Sequence, residues 1–177
     1  VPAGTGLIGR EPASLAAKLA CPANDGKQVP KALGDAAVAL LGTPKPPVTG
    51  VVIAKDEGDR IGRCVASLAP LCREVIVMDS HSGDDTVVVA EAAGARVVQQ
   101  PWLGFAAQKN AVIALARTPW VLLLDSDEWL AEGPGRSAAE TIRAAFADGR
   151  VEQADAWNLL RRTHYLGTAL DHGGWGK

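Results

Sequence analysis

An α/β fold built on a mostly parallel sheet is the architecture this sequence predicts, and three observations carry the prediction. From about residue 48 onward, short apolar runs alternate with stretches of helical spacing, the pattern of strands joined by helical crossovers. The runs are continuously apolar, as in V-I-V-M and V-L-L-L, which suits strands buried on both faces of a parallel sheet. Three of the runs then stop abruptly at polar clusters. In a parallel sheet those three ends share one rim, the edge where open α/β sheets bind ligands.

Taken in order, residues 1–48 are rich in Ala, Pro and Gly, with breakers at Pro12, Pro22, Pro30, Pro44, Pro46 and Pro47. Short helices could form over Ala13–Ala20 and Lys31–Leu41. The segment as a whole reads as a loosely structured extension or linker, carrying no chemical constellation. Residues 49–177 form the second unit. Val51–Ala54 is predicted as a strand, and Asp59–Leu68 as a helix with Ile61, Val65 and Leu68 on one face. Val75–Met78 is the next strand, followed by a turn at Ser80–Asp84 and a helix to about Ala93, which Gly94 stops. Arg96–Val98 is a short strand, Pro101–Phe105 a loop, and Ala106–Ala116 a helix. The central strand ends at Asp125; Ser137–Phe146 is a further helix and Ala156–Leu160 a further strand.

Composition narrows the function classes. The 177 residues suffice for one domain with a stable core. A net charge of −2 gives no reason to expect nucleic acid as a partner. Cys21, Cys64 and Cys72 have no metal-ligand spacing; Cys64 and Cys72 read as small buried apolar residues in a reducing, cytoplasmic setting. No apolar run approaches the ~20 residues that span a bilayer, and the amino end has no compact signal segment. The chain begins at Val1, which leaves open a processed product, a fragment or an alternative start.

The strand ends carry the chemistry. The first gives Lys55, Asp56 and Glu57; the second gives Asp79, Ser80, His81, Ser82, Gly83 and Asp84; the central strand gives Asp125, Ser126, Asp127 and Glu128. Because strand side chains alternate, Asp125 and Asp127 point to one side and can share one cation. Hard oxygen donors at that spacing suit Mg²⁺ or Mn²⁺, completed by phosphate oxygens and water. The plain alternative is a strand followed by a solvated acidic turn. Asp79, directly after a buried strand, matches the acidic residue that grips a ribose or base in nucleotide-binding sheets. Its alternative is a helix cap, a role that Ser80 or Ser82 could fill.

Four motifs then occur in order: A-K-D-E at Ala54, D-S-H-S-G-D-D-T at Asp79, P-W-L-G-F-A-A-Q-K-N at Pro101 and L-D-S-D-E-W at Leu124. Together they resemble the family-2 glycosyltransferases of the GT-A fold, and most of all the bacterial lipopolysaccharide-core glycosyltransferases. The resemblance runs from about Val51 to Trp175, through Y-L-G at Tyr165 and H-G-G-W at His172. It implies a GT-A sheet, incomplete at the carboxyl end, that binds a nucleotide-sugar donor, a UDP-sugar first among them. It also implies transfer with inversion to a glycan or lipid-linked acceptor of the lipopolysaccharide-core kind.

The nucleotide-sugar contacts implied are Ala54, Lys55, Glu57, Asp79, Ser80, Gln108, Lys109, Asn110, Asp125 and Ser126. Lys109 becomes the diphosphate partner, with a solvated helix face as its alternative. Asp127, with Asp125, becomes the holder of Mg²⁺ or Mn²⁺. Tyr165, His172 and Trp175 could touch sugar or acceptor, or pack in a Gly-rich turn; Trp102 and Trp129 read as core or loop packing. Lipid-linked acceptors add an expectation of peripheral association with the inner face of the cytoplasmic membrane.

Three departures from the family pattern stand out. Asp56 replaces the usual Asn, and His81 stands where Gly is common. The carboxylate that acts as general base in similar enzymes lies beyond H-G-G-W, so it is expected beyond residue 177; Glu128 and Asp171 are carboxylates that no spacing selects. The residues also admit two rival readings. One is a non-catalytic nucleotide-binding remnant of such an enzyme. The other is a phosphatase of the haloacid dehalogenase type, where a Thr or Val normally stands at the position of Trp129.

Overall fold

The computed structural model describes residues 7–10, 44–131, 137–165 and 168–169. Its main sheet has six strands: β1 (Leu7–Arg10), β2 (Val48–Ala54), β3 (Glu74–Asp79), β4 (Arg96–Gln99), β5 (Trp120–Asp125) and β6 (Ala156–Asn158). They lie in the order β4-β3-β2-β5-β1-β6. The β4-β3, β3-β2 and β2-β5 pairs are parallel, as the continuous apolar runs predict. All seven residues of β2 are buried, as befits the strand at the centre of the parallel part. A separate pair, β7 (His164–Tyr165) and β8 (Thr168–Ala169), is antiparallel.

Helices cover both faces. Ile61, Cys64, Val65 and Leu68 of α1 (Gly58–Leu68) pack with Val48, Val52, Val77, Leu122 and Leu124 of the sheet. Ala90 of α2 (Thr86–Ala92) and Ile142 of α4 (Ala138–Ala147) join the same layer, with Phe146 edge-on to the buried Trp120 at 5.9 Å between ring centres. On the other face, Val112 of α3 (Phe105–Ile113) packs on Val51, Ile53, Ile76, Met78 and Val121. Odd and even strand positions therefore face different helices. Cys64 and Cys72 are buried thiols in the first layer, as read from the sequence, and burial is the leading cause that pushes both up to about 12.

Three differences from the sequence reading have physical causes. The helix predicted over Ala106–Ala116 ends at Ile113, because Leu115 and Ala116 donate to carbonyls three residues back and tighten the last turn into a 3₁₀ form. The strand predicted over Ala156–Leu160 keeps only Ala156–Asn158, an exposed edge paired on one side. Within residues 1–48, Leu7–Arg10 form a strand inserted antiparallel between β5 and β6, where no local pattern signals a strand. The helices expected over Ala13–Ala20 and Lys31–Leu41, and Cys21, lie outside the described residues.

Candidate functional site

Strand order reverses direction at β2: β3 and β4 follow on one side, and β5 lies on the other. The carboxyl ends of β2 and β5 therefore flank the sheet's switch point, where helices diverge and leave a crevice. Ile53 is in register with Asp125, and Ala54 with Asp79. The three polar strand ends thus lie side by side.

The loops after β2 and β3 are joined by their own side chains. The Asp56 amide donates to Ser82 Oγ at 2.8 Å, Asp56 Oδ1 accepts from the Gly83 amide at 2.7 Å, and Lys55 Nζ reaches the His81 carbonyl at 2.5 Å. Asp56 and His81 both adopt positive φ, 52° and 57°. Asp, Asn and His tolerate this left-handed region better than most residues, so the two departures from the family pattern fit the backbone they occupy. Asp84 takes hydrogen bonds from the Thr86 hydroxyl, the Gly58 amide and the Thr86 amide, and these hold its carboxyl below the usual range.

Asp79 is fully buried. Its carboxylate accepts from the Ser82 hydroxyl, from the Ser82 amide at 3.0 Å and from Gln99 Nε2 at 3.3 Å. It holds its own loop closed, as a cap would, and Ser82 is its donor and not its substitute. Gln108 is likewise fully buried: Nε2 donates to Ser80 Oγ at 3.2 Å, and Oε1 accepts from the Leu103 amide at 3.3 Å. It ties the P-W-L-G loop to the end of β3. Ala54, Ser80 and Ser126 are also buried, whereas Lys55 and Asn110 are exposed and Glu57 half-buried. Glu57 N-caps α1 by position, and its amide donates to Thr86 Oγ1 at 2.8 Å.

Lys109, from α3, forms an ion pair with Asp125 Oδ1 at 2.7 Å, with both side chains partly exposed. Strand β5 ends at Asp125, and the Glu128 amide closes a turn onto the Asp125 carbonyl at 3.0 Å. Asp127 therefore sits on a turn and not on a continued strand, so the alternation that would make it share a side with Asp125 does not reach it. Its side chain is exposed. Glu128 folds back, accepting from the Asp125 amide at 3.2 Å and pairing with Arg161 at 3.3 Å. Burial pushes Glu128 up, and the Asp125 and Asp127 charges push the same way, against that amide hydrogen bond and Arg161. The same three carboxylates add to the upward push on the Cys64 thiol. Negative charge is concentrated at this turn.

A sequence profile decides the family: that of glycosyl transferase family 2 matches residues 49–163. The chain belongs to glycosyl transferase family 2. An uncharacterized glycosyltransferase of Rickettsia conorii is 44% identical over 112 residues, covering 63% of this chain and 38% of that protein. A lipopolysaccharide core biosynthesis glycosyltransferase of Rhizobium meliloti is 29% identical over 129 residues, covering 70% of this chain and 45% of that protein. Glucosyl-3-phosphoglycerate synthase from Mycobacterium tuberculosis, crystallised with Mn²⁺, UDP and glucosyl-3-phosphoglycerate, is 31% identical with a TM-score of 0.41. That likeness covers 51% of this chain and 35% of the other. The family-2 chain spans less than half the length of the two curated relatives named here.

Family membership sets aside the haloacid dehalogenase reading of D-x-D. Within the family-2 chain, Trp102 and Trp129 are partly exposed, at 49% and 40%, and neither is core. Trp102 stacks edge-on with Phe105, ring centres 4.9 Å apart, and Trp129 carries the Arg63 guanidinium 3.6 Å above its ring. The backbone of Tyr165 pairs with Thr168, while His172, Trp175 and Asp171 lie outside the described residues. Sequence reasoning did not single out Arg60 and Arg63 beside the turn. Their spacing on the polar side of a helix signals no more than a solvated face.

Proposed function

We propose that this domain binds a nucleoside diphosphate sugar, a UDP-sugar first, across the ends of β2 and β5 and transfers its sugar to a glycan acceptor. The observation that carries the reading is the meeting of Lys109 with Asp125 at the switch point, 2.7 Å apart, beside the exposed Asp127. Lys109 is a point charge able to turn from Asp125 toward a diphosphate. Asp79, Gln108 and Ser82 act behind the site by fixing its loops, while Lys55, Glu57 and Asn110 are accessible enough to touch the donor.

Mg²⁺ or Mn²⁺ fits the donor set at the turn. Asp127 presents an exposed hard oxygen donor next to Asp125, and such ions are commonly held by one or two carboxylates plus phosphate. Among the described residues no cluster of three or more potential ligands forms a complete cage, so a substrate phosphate would supply the remaining oxygens. Bound there, the ion would neutralise charge developing on the departing diphosphate. No described carboxylate is assigned as the acceptor's base, since Glu128 is occupied by the Asp125 amide and Arg161.

The finer reading is inverting transfer to a lipopolysaccharide-core or lipid-linked glycan by a cytoplasmic protein at the inner membrane face. Likeness to the Rhizobium meliloti protein supports the acceptor class. Among the described residues no helix is long and apolar enough to cross a membrane, so association would be peripheral. Protein left wholly in the supernatant after liposome sedimentation would count against it, and retention of the donor's anomeric configuration in the product would count against inversion.

Calorimetric titration with UDP, ADP and GDP, each with and without Mn²⁺, tests the main proposal. Mn²⁺-dependent binding of UDP is the expected result. Absence of binding by all three nucleotides would overturn it, and nucleotide binding without turnover on any acceptor would favour a binding remnant.

A further inference from the structure

On the α1 side of the carboxylate turn lies a recess of about 370 Å³ lined by Asp59, Arg60, Arg63, Asp127 and Trp129. Its size is at the lower end of small-molecule sites, roughly 300–1,000 Å³. The lining is chemically mixed. The Arg63 guanidinium lies over Trp129, 3.6 Å from the ring centre, a cation–π contact that holds it at the wall. Arg60, with 64% of its side chain exposed, keeps a 3.4 Å contact with Glu57 and has donors to spare. Asp59 and Asp127 are acceptors for hydroxyl groups, and Trp129 remains 40% exposed.

The recess and the Lys109–Asp125 pair stand on opposite faces of the sheet. Arg60 and Arg63 belong to α1, which packs on the face of Val52 and Leu124, whereas Lys109 belongs to α3, which packs on the face of Ile53 and Val121. Asp127 lies between the two, on the turn that leaves β5. A transfer reaction needs a second substrate held next to the donor but apart from it.

We infer that this recess binds the acceptor, and that the acceptor is a sugar bearing an anionic group, a phosphate or a carboxylate. The oxyanion meets Arg60 and Arg63, sugar hydroxyls donate to Asp59 and Asp127, and an apolar ring face rests on the free part of Trp129. A neutral sugar would leave the remaining donors of Arg60 and Arg63 to water, and a bare anion would face the two carboxylates without hydroxyls to offer. The inference rests on the transferase reading and adds the class of acceptor.

The test follows the Trp129 indole signal by NMR on the chain, assigned with Trp129→Phe, during titration with glucose 6-phosphate, glucuronate, glucose and inorganic phosphate. Glucose 6-phosphate or glucuronate should shift that signal saturably, the tighter of the two identifying the anionic group, with glucose and inorganic phosphate each at least about tenfold weaker, as loss of one charge-assisted hydrogen bond implies. Arg60→Gln and Arg63→Gln should each weaken the sugar anion by about tenfold, with folding checked by circular dichroism. Arg60 is exposed, so its variant reads the site even if Arg63→Gln disturbs Trp129. Equal binding of glucose, equal binding of inorganic phosphate, or undiminished binding by Arg60→Gln would overturn the inference. Displacement of the sugar anion by UDP with Mn²⁺ would also overturn it, by making the recess part of the donor site. UDP binding measured in parallel separates the two readings: its loss refutes the donor site, while its presence without sugar-anion binding refutes the acceptor recess alone.

Discussion

Asp127 and Asp125 differ in what the fold asks of them. Asp125 is neutralised by Lys109 at 2.7 Å, while Asp127 stands exposed on the turn. Replacing Asp127 by Ala should therefore weaken Mn²⁺-dependent UDP binding by roughly tenfold or more, about 1.4 kcal/mol. Its stability should stay within about 0.5 kcal/mol of the parent, as for other exposed positions; equal UDP affinity in a calorimeter would refute the role. Gln108 is the converse case, a buried amide holding the loop before α3 to Ser80 and Leu103. Gln108→Leu should cost about 1–3 kcal/mol in urea unfolding, because it strands partners in the interior. Glu128 sets a pH dependence. Its carboxyl is raised in the fold, so the folded state holds that proton more tightly than the unfolded chain, and stability from this group is lost as pH rises from the unfolded value of 4.5 through the raised one. The melting temperature of Glu128→Gln relative to the parent should consequently climb across that window; a flat difference would show that burial does not raise the Glu128 carboxyl.

At the scale of elements, α1 unites core and rim. Ile61, Cys64, Val65 and Leu68 bury one face of it, while Arg60 and Arg63 stand on the other beside Trp129. Ile61→Ala should cost about 2–5 kcal/mol by leaving a cavity under β2, measured by chemical denaturation; a loss below 1 kcal/mol would mean that the helix readjusts. Strands β2, β3 and β5 were legible because each is a short apolar run with an abrupt polar end, and α1 because its apolar positions recur at helical spacing. Strand β1 was not legible. Leu7–Arg10 is four residues with a glycine inside a Pro- and Gly-rich segment, and what makes it a strand is pairing with β5 and β6, far along the chain. The same limit applies to side chains: residue type announced Asp79 as a polar group at the rim and the family resemblance implied Gln108 there, but only tertiary packing turns them inward. Arg63 and Trp129 meet through the fold alone, and no local pattern joins them.

For the whole molecule, the sheet order β4-β3-β2-β5 brings polar ends from three separate stretches of sequence to one edge, where the proposed donor site lies. The central claim is that the ends of β2 and β5 bind a metal-linked nucleoside diphosphate at Asp127 and Lys109. Paramagnetic broadening by Mn²⁺ of assigned amide signals, recorded with UDP present, tests it most directly. Broadening should be strongest at Asp125–Trp129 and extend to Lys109, leaving Asp148 and Arg150 at the far side of α4 sharp. Broadening centred on any other carboxylates, or none that depends on UDP, would contradict the account.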